Sequence, residues 1–277
     1  MENSINNIIK NLKLACEFFS ESTSQERRDQ LLNDWDFGSF IIGDDDGVIY
    51  EKCKCDLEQS VFTVKTINLI EPKLSTPYNP FSPQYLETDS DIIRLASIMV
   101  DTAVGKSDPI KPYLRSGMKS LLTALIAYVT SDTAAASRSL YGVIEMLKNN
   151  SRSDGYGVTQ TDTLFDRLKE KNPYCLAAKQ YEIYRNSDWD NLNFISDYLL
   201  KLLYFYENDD ISSIILADDE MDVKSFAEKP TVLFFITPAH ENIYVPFTQT
   251  AYFQLKSILS RQKSRVQDGL PIIEYSE

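Results

Sequence analysis

The sequence predicts an α/β protein in which a parallel β-sheet is interrupted by a large all-α segment. Three observations indicate this class. Apolar runs rich in β-branched residues occur near both ends of the chain, helical periodicity fills the middle, and a short helical crossover joins the first two predicted strands. Such a crossover indicates parallel pairing, because a tight hairpin joins only antiparallel strands.

Composition excludes several protein classes. The chain has 277 residues, of which 43% are hydrophobic, and this suits a globular protein of one or two domains. The formal net charge is −13, so a continuous basic surface for nucleic acid is not expected. The four cysteines are too few and too scattered for a disulfide framework, which predicts a reducing compartment.

No signal peptide or membrane-spanning segment is predicted. The N-terminal residues are polar and lack a basic start followed by an apolar block. The most apolar window, Leu121–Val129, is about half as long as a bilayer requires. The chain is therefore expected to have no membrane segment of its own.

Residues 1–36 are predicted to form an N-terminal helical segment. Apolar residues recur at helical spacing from Ile5 to Phe19. Thr23 and Glu26 make a capping box, which predicts a second helix that ends near Trp35. The apolar faces of both helices need a partner surface.

The sheet is predicted from residues 37–82 and 227–277. Strands at 38–43 and 62–69 enclose an acidic turn and a short helix, which is the pattern of a βαβ unit. After the interruption, Thr231–Thr237 is again rich in β-branched and aromatic residues. A helix at 247–265 follows, and residues 269–273 begin a strand that the chain leaves incomplete.

Residues 83–226 are predicted to form the all-α inserted domain. A stretch that contains four prolines, at 72–83, leaves the sheet and leads into this domain. Apolar positions at i, i+3, i+4 and i+7 then recur along most of the domain. The predicted helices are 91–101, 113–129, 137–147, 161–171, 176–184 and 192–206.

Short motifs on both sides of the helical domain and within it resemble the type IV secretion coupling proteins, the conjugative TraG/TraD class of membrane-anchored ATPases. The resemblance covers about residues 37–270, and the motifs occur in one order. They are 38–42 with Asp44 and Gly47, 64–69, Tyr78-Asn79-Pro80-Phe81, 91–96, 121–129, 164–168, 177–181 and 228–238.

The resemblance implies a RecA-like nucleotide-binding domain that carries an inserted all-α domain. In that family, a hexamer hydrolyses ATP with Mg²⁺ and passes a relaxase-bound DNA strand or protein substrates to the secretion channel. The implied partners here are relaxase or relaxosome proteins and secretion-channel proteins. The implied location is the cytoplasm, at the inner face of the membrane through those partners.

Two nucleotide-binding motifs of the family are absent from the sequence. A phosphate-binding loop is expected near residues 5–30, but the first 37 residues contain no glycine. The tripeptide Gly105-Lys106-Ser107 lacks the first glycine of the loop motif and follows a predicted helix rather than a strand. The last strand has Ile272-Ile273-Glu274-Tyr275 where the family has an Asp-Glu pair.

A third motif is altered. Where the family has Asp-Pro-Lys-Gly-Glu, this chain has Asp44-Asp45-Asp46-Gly47-Val48, so Asp46 reverses the charge of the family lysine. Asp44 and Gly47 are therefore expected to be vestigial nucleotide-site residues, with neither ATP nor Mg²⁺ as a cofactor. Three adjacent carboxylates also suit calcium, but the loop spacing does not, and a solvated turn is favoured over a cation site.

The remaining candidates for chemistry are weak. His240 follows a strand at the carboxyl edge of the predicted sheet, where α/β proteins place ligands, but it has no partner motif. A surface loop histidine is the favoured interpretation. Cys53 and Cys55 lack the two-residue spacer of zinc knuckles, so no metal site and no catalytic residue is predicted.

The predicted substrate-contact residues are basic and lie in the helical domain. This part of the chain has a local density of basic residues that the rest lacks, and these residues form either a weak contact surface for substrate or DNA or simply solvated helix faces. The basic residues are Arg138, Lys148, Arg152, Arg167, Lys169, Lys171, Lys179 and Arg185. The predicted contacts among them are Arg138, Lys148, Arg152, Arg167 and Lys179.

Three functional hypotheses follow. The preferred one is a coupling-protein-like component of a conjugative system, which recruits substrate or relaxosome and does not hydrolyse ATP by itself. The alternative is one half of a split DNA-translocating ATPase that another chain completes. The third is a gene remnant without function, whose unpaired last strand would make it unstable. The oligomeric state is not predicted.

Overall fold

The computed structural model of the protein contains a four-stranded sheet. Its strands are β1 (Ser39–Asp45), β2 (Thr63–Asn68), β3 (Thr231–Thr237) and β4 (Ile272–Tyr275). The spatial order is β2-β3-β1-β4, and every neighbouring pair is parallel. The predicted α/β class with a parallel sheet is confirmed. The last strand is paired with β1, so the expectation of an unpaired strand is wrong.

The structure describes residues 2–18, 24, 26–27, 39–105, 109–131, 138–150, 157–215, 219–227, 229–263 and 272–275. The chain divides into two units. Unit 1 comprises residues 1–77, 219–244 and 255–277, and unit 2 comprises residues 78–218 and 245–254. The second predicted N-terminal helix, with its capping residue Thr23, falls almost wholly outside the described residues.

Both faces of the sheet in unit 1 are buried. Phe40, Val232 and Phe234 contribute to one apolar cluster, whereas Ile41 and Leu233 point to the opposite face and are also buried. Strands covered on both faces have near-continuous apolar sequences, which is why β3 contains no alternation of polar and apolar residues.

Helix α1 (Glu2–Phe18) supplies part of this cover. Ile8, Leu12 and Ala15 on α1 join the cluster that includes Phe40 and the buried residues of α2 (Val48–Glu58). The apolar face of the first predicted helix therefore has its partner surface, which is the sheet together with α2.

The outer edge of β2 is covered by the proline-rich stretch. The backbone N–H of Thr66 donates to the hydroxyl of Thr76, and the carbonyl of Thr66 accepts from the N–H of Thr76 at 2.7 Å. The N–H of Asn68 donates to the hydroxyl of Ser75 at 2.8 Å. These contacts satisfy backbone groups that an exposed edge strand would leave open to another chain.

Unit 2 contains helices and no strand among its described residues. Two of its helices begin with capping boxes, formed by Thr88 with Asp91 and by Thr159 with Asp162. Its helices are α3 (Asp89–Val104), α4 (Pro112–Val129), α5 (Leu140–Lys148), α6 (Gln160–Lys171), α7 (Leu176–Arg185), α8 (Trp189–Leu203) and α9 (Asp209–Ile215). Helix α10 (Val245–Lys263) follows β3 and begins in unit 2.

Two predicted helix bounds are corrected. The predicted helix 192–206 is α8 followed by a 3-10 turn, Tyr204–Glu207. The short helix α9 was not predicted, because a helix of about two turns contains too few residues for a periodic signal. Helix α5 begins at Leu140 rather than at 137, since Ser139 caps it by accepting a hydrogen bond from the N–H of Gly142.

Helix α4 is the central helix of unit 2. Leu121, Leu122 and Leu125 on it are fully buried. Gly117 allows α8 to approach closely, because an added Cβ would lie 2.5 Å from the Cδ1 of Ile195. The uninterrupted apolar run in this helix therefore reflects burial within unit 2.

A buried polar network connects the ends of several helices in unit 2. The side-chain amide of Asn150 donates to the hydroxyls of Tyr184 and Ser196, each at 3.1 Å. Its amide oxygen accepts from the hydroxyls of Thr159 and Tyr181, also at 3.1 Å. Asn150 is fully buried, so all of its hydrogen-bonding capacity is met by protein groups.

We expect Leu12→Ala to lower the free energy of unfolding by about 2–5 kcal/mol, because the side chain is fully buried between α1 and the sheet. Lys10→Ala, on the exposed side of the same helix, is the control and should change it by less than about 0.5 kcal/mol. Urea unfolding followed by circular dichroism measures both. Equal effects would mean that α1 does not pack on the sheet.

Asn150→Ala should lower the free energy of unfolding by about 1–3 kcal/mol, because it removes buried hydrogen bonds to four hydroxyls at once. Asn149→Ala is a matched control at the neighbouring exposed position and should be nearly neutral. Thermal melts of the two variants test this difference. Similar melting temperatures for the two would contradict the role assigned to the network.

Candidate functional site

The carboxyl ends of β1 and β3 meet at one edge of the sheet, where α/β proteins commonly bind ligands. Asp45 lies beside Thr237 in the strand register, and the hydroxyl of Thr237 donates to the Asp45 carboxylate at 3.2 Å. The N–H of Asp46 donates to the carbonyl of Thr237 at 2.8 Å, and its carboxylate accepts from the N–H of Ala239 at 2.9 Å. The acidic turn is thus tied to the end of β3.

Asp44 has a structural role at this edge. Its side chain is buried, and its two carboxylate oxygens accept hydrogen bonds from the N–H groups of Ile49 and Tyr50, at 2.9 and 2.8 Å. A carboxylate at a helix N-terminus is stabilised by these otherwise unpaired donors and by the helix dipole. The expectation of a solvated turn is therefore wrong for Asp44, although Asp45 and Asp46 are exposed.

Gly47 is required by the backbone of the turn. Its φ is 72°, in the left-handed region, and it directly precedes α2. An added Cβ would lie 3.3 Å from Cγ2 of Ile236, so the space is also limited. The residue that resembles the family glycine therefore has a local reason to be glycine, independent of any nucleotide.

This edge does not fit a nucleotide polyphosphate. A phosphate at a helix start uses backbone N–H groups together with positive charge. Here the Asp44 carboxylate already accepts from the N–H groups of Ile49 and Tyr50, and Asp45 and Asp46 add negative charge to the turn. Within the described residues, no group of three or more His, Cys, Asp or Glu side chains is arranged to hold a metal ion.

Nearly all described residues of the two other segments that could hold a phosphate loop belong to a helix or end one. Residues 5–18 belong to α1, and the turns of this helix provide buried apolar side chains rather than a loop. Gly105 is the C-terminal cap of α3, with φ 72°, and its carbonyl accepts from the Arg115 guanidinium at 2.8 Å. Gly105 therefore ends a helix, as the sequence predicted, while Lys106 and Ser107 lie outside the described residues.

Neither His240 nor the cysteine pair forms part of a reactive site among the described residues. His240 is exposed in the turn after β3. Cys53 is buried and Cys55 is exposed, so the two thiols do not converge. Burial raises the pKa of Cys53 to about 12 and that of Cys16 to about 11, which keeps both thiols protonated and unreactive at neutral pH.

Unit 2 contains a cleft of about 1030 Å³. We call it the α6 cleft, because the residues of α6 from Gln160 to Lys171 contribute the longest part of its lining. The N-terminal turn of α3, the C-terminal end of α4 and the N-terminal turn of α7 supply most of the rest. Among the described residues of the lining, the basic ones are Arg138, Arg167 and Lys171, and the acidic ones are Glu87 and Asp89.

Two of the five predicted contact residues, Arg138 and Arg167, line the α6 cleft. Lys148 lies elsewhere and already contacts the carboxylates of Glu207 and Glu145, which raise its pKa. Lys179 lies over the ring of Tyr174, at 5.8 Å from the centroid. Arg152 lies outside the described residues. Of the described members of the predicted set, Arg138 and Arg167 therefore share this cleft, and Lys148 and Lys179 are not part of its lining.

A family model for type IV secretory system conjugative DNA transfer matches residues 31–272. This chain belongs to that family. The match covers β1, β2, β3 and all of the helices from α2 to α10, and it supports the resemblance that the sequence motifs indicated. No curated protein matches the chain.

For this member of the conjugative DNA transfer family, the described helices include none that is both long and apolar enough to cross a membrane. The apolar lining of the α6 cleft was not predicted as a site, and Lys171 belonged to the wider basic set but not to the five predicted contacts. The available signal was the spacing on α6, where Leu164 and Leu168 repeat at i, i+4 beside Arg167 and Lys171.

Asp44→Ala should lower the free energy of unfolding by about 1–3 kcal/mol, because two N–H groups at the start of α2 lose their acceptor. Asp45→Ala is the control in the same turn, and its exposed carboxylate should contribute less than about 0.5 kcal/mol. Urea titration compares the two variants. A neutral Asp44→Ala would contradict the capping role.

Proposed function

We propose that this chain serves conjugative type IV secretion as a recruitment component, which binds substrate or relaxosome proteins and does not hydrolyse ATP by itself. The family match supports the role in conjugative transfer, and the acidic turn at the sheet edge supports the absence of ATP hydrolysis. The Asp44 carboxylate caps the start of α2, Asp46 places a negative charge where the family that the motifs resemble has a lysine, and Asp45 beside it adds another. A site of this kind repels a polyphosphate and offers no cation to the leaving group.

The proposed architecture is a partial RecA-like domain with an inserted all-α domain. The parallel order β2-β3-β1-β4 supports the partial RecA-like domain, because β3 lies between β1 and β2, which both precede it in the sequence. The composition of unit 2 supports the second, since its described residues are helical and most of them lie between β2 and β3 in the sequence. This is the arrangement that an insertion into a parallel sheet produces.

Proteins are the proposed partners, with relaxase or relaxosome proteins and channel proteins as the expected classes. The formal charge of −13 opposes an extended grip on DNA, so any DNA contact is weak and local. The chain is proposed to act in the cytoplasm, at the inner face of the membrane through those partners. Neither ATP nor Mg²⁺ is proposed as a cofactor of the chain by itself.

The proposal predicts that the purified chain neither binds Mg²⁺-ATP in calorimetry nor hydrolyses it above background, with an intact coupling ATPase of the family as the positive control. It also predicts that deletion of the gene from donor cells lowers conjugative transfer, and that expression of the chain restores it. Mg²⁺-dependent ATP hydrolysis by the chain alone would contradict the proposed lack of ATPase activity. Unchanged conjugative transfer after deletion would contradict the proposed role in transfer.

The alternative, one half of a split ATPase, has one observation in its favour. β4 lies at the edge of the sheet, and β1 is its only strand partner within the described part of the chain. An edge strand can accept a further strand from another polypeptide. Hydrolysis that appears only when a co-purified second chain is present would favour this alternative over recruitment.

A further inference from the structure

We propose that the α6 cleft binds an acidic, partly apolar peptide segment of a partner protein. This inference rests on the proposed recruitment function and specifies the chemistry that it recognises. The charges, the apolar lining and the dimensions of the cleft each support it.

The basic side chains of α6 and α7 differ in whether they already have acidic partners. Lys169 contacts the Glu182 carboxylate at 2.8 Å, and Arg185 contacts Asp166. Arg167 and Lys171, which line the cleft, have no carboxylate within salt-bridge distance among the described residues. Two exposed cations on one helix face, with no internal partner, are available for an anionic ligand.

Arg138 adds a third positive charge to the same lining, from the segment that precedes α5. Glu87 and Asp89 lie in the lining as well, so the described residues give the cleft a mixed charge, with three basic and two acidic side chains. A ligand with discrete carboxylates can be placed near the cations and away from these acids. A continuous polyanion such as nucleic acid cannot avoid them as easily.

The cleft is also apolar enough to bind aliphatic side chains. Leu164 and Leu168 lie one turn apart on α6, and Ile92, Ala127 and Met146 face the cleft from other helices. Among the described residues of the lining Tyr128 is the one aromatic side chain, so this part of the cleft has no row of rings on which successive bases could stack. This favours a peptide over single-stranded nucleic acid.

The wall of the cleft is well supported. Phe165 is a buried residue of α6, and its ring stacks on Tyr181 at a centroid distance of 3.9 Å. The hydroxyl of Tyr181 donates a hydrogen bond to the carboxylate of Asp162. Asp162 also caps α6 through Thr159. Because α6 is fixed at its start and along its inner face, its outer face presents a preformed surface, which lowers the entropic cost of binding.

The dimensions suit a short extended segment. Helix α6 has 12 residues and is therefore about 18 Å long. An extended chain advances about 3.3 Å per residue, so about five peptide residues match this length. The cleft volume is about 1030 Å³, whereas small-molecule sites typically measure about 300–1000 Å³. The cleft is therefore large enough for a ligand such as a short peptide.

The test uses the full chain and a fluorescein-labelled peptide of about eight alternating glutamate and leucine residues, followed by fluorescence anisotropy. We expect saturable binding with a Kd of about 1–100 µM that weakens as salt is raised. The matched peptides replace glutamate with glutamine or lysine and should bind at least about tenfold more weakly.

Arg167→Glu/Lys171→Glu should weaken binding of the acidic peptide by about tenfold or more, because it reverses the two unpaired charges. The control Lys169→Glu/Lys201→Glu makes the same change in net charge at exposed positions outside the cleft lining and should retain affinity within about twofold. Circular dichroism checks that both variants are folded. The milder Arg167→Gln/Lys171→Gln should give an intermediate loss.

Equal affinities of the two double variants would overturn the assignment to the cleft. Preference for an oligothymidine of about 20 nucleotides over the acidic peptide would overturn the choice of a peptide ligand. The proposed function is measured separately, by co-purification of relaxosome or channel proteins with the chain. A chain that co-purifies with these partners but does not bind the peptide keeps the recruitment function and loses the cleft as its recognition site.

Discussion

The pairing of β3 with both β1 and β2 is the constraint on which unit 1 depends. β3 is buried along almost its whole length and supplies hydrogen-bond partners to strands on both sides. Its first N–H, that of Thr231, donates to the buried hydroxyl of Ser39, a residue 192 positions earlier. Most of unit 2 lies between β2 and β3 in the sequence. The paired strands are therefore far apart in the chain, the contact order of the sheet is high, and its folding is expected to be slow.

Asp44 and Gly47 have structural roles at the carboxyl edge of the same sheet. Asp44 and Gly47 are placed where the resembling family has part of its nucleotide motif, but their contacts are internal. The carboxylate of Asp44 completes the start of α2, and the conformation of Gly47 makes the turn. Each contributes to stability without a ligand, because a helix start and a left-handed turn need these groups in any protein.

In unit 2, buried polar groups and exposed basic groups have different roles. The network around Asn150 and the cap of α6 pair buried polar groups with each other inside the unit. This pairing favours one arrangement of the helices, because another arrangement would leave buried polar groups unpaired. Arg167 and Lys171 are on the outer face of the same helix and have no such internal use. The contacts on the buried face of α6 therefore fix the position of the exposed face that carries Arg167 and Lys171.

The sequence by itself determined the α/β class, the parallel pairing and most helix positions, because these depend on local periodicity and on caps. The tertiary structure alone decided that β3 separates β1 from β2, that Asp44 is buried, and that Arg138 and Arg167 are the two described members of the five predicted contact residues that share a cleft. The reason is physical: strand order, burial and convergence of side chains depend on contacts between residues far apart in the chain, and local patterns carry no record of those contacts.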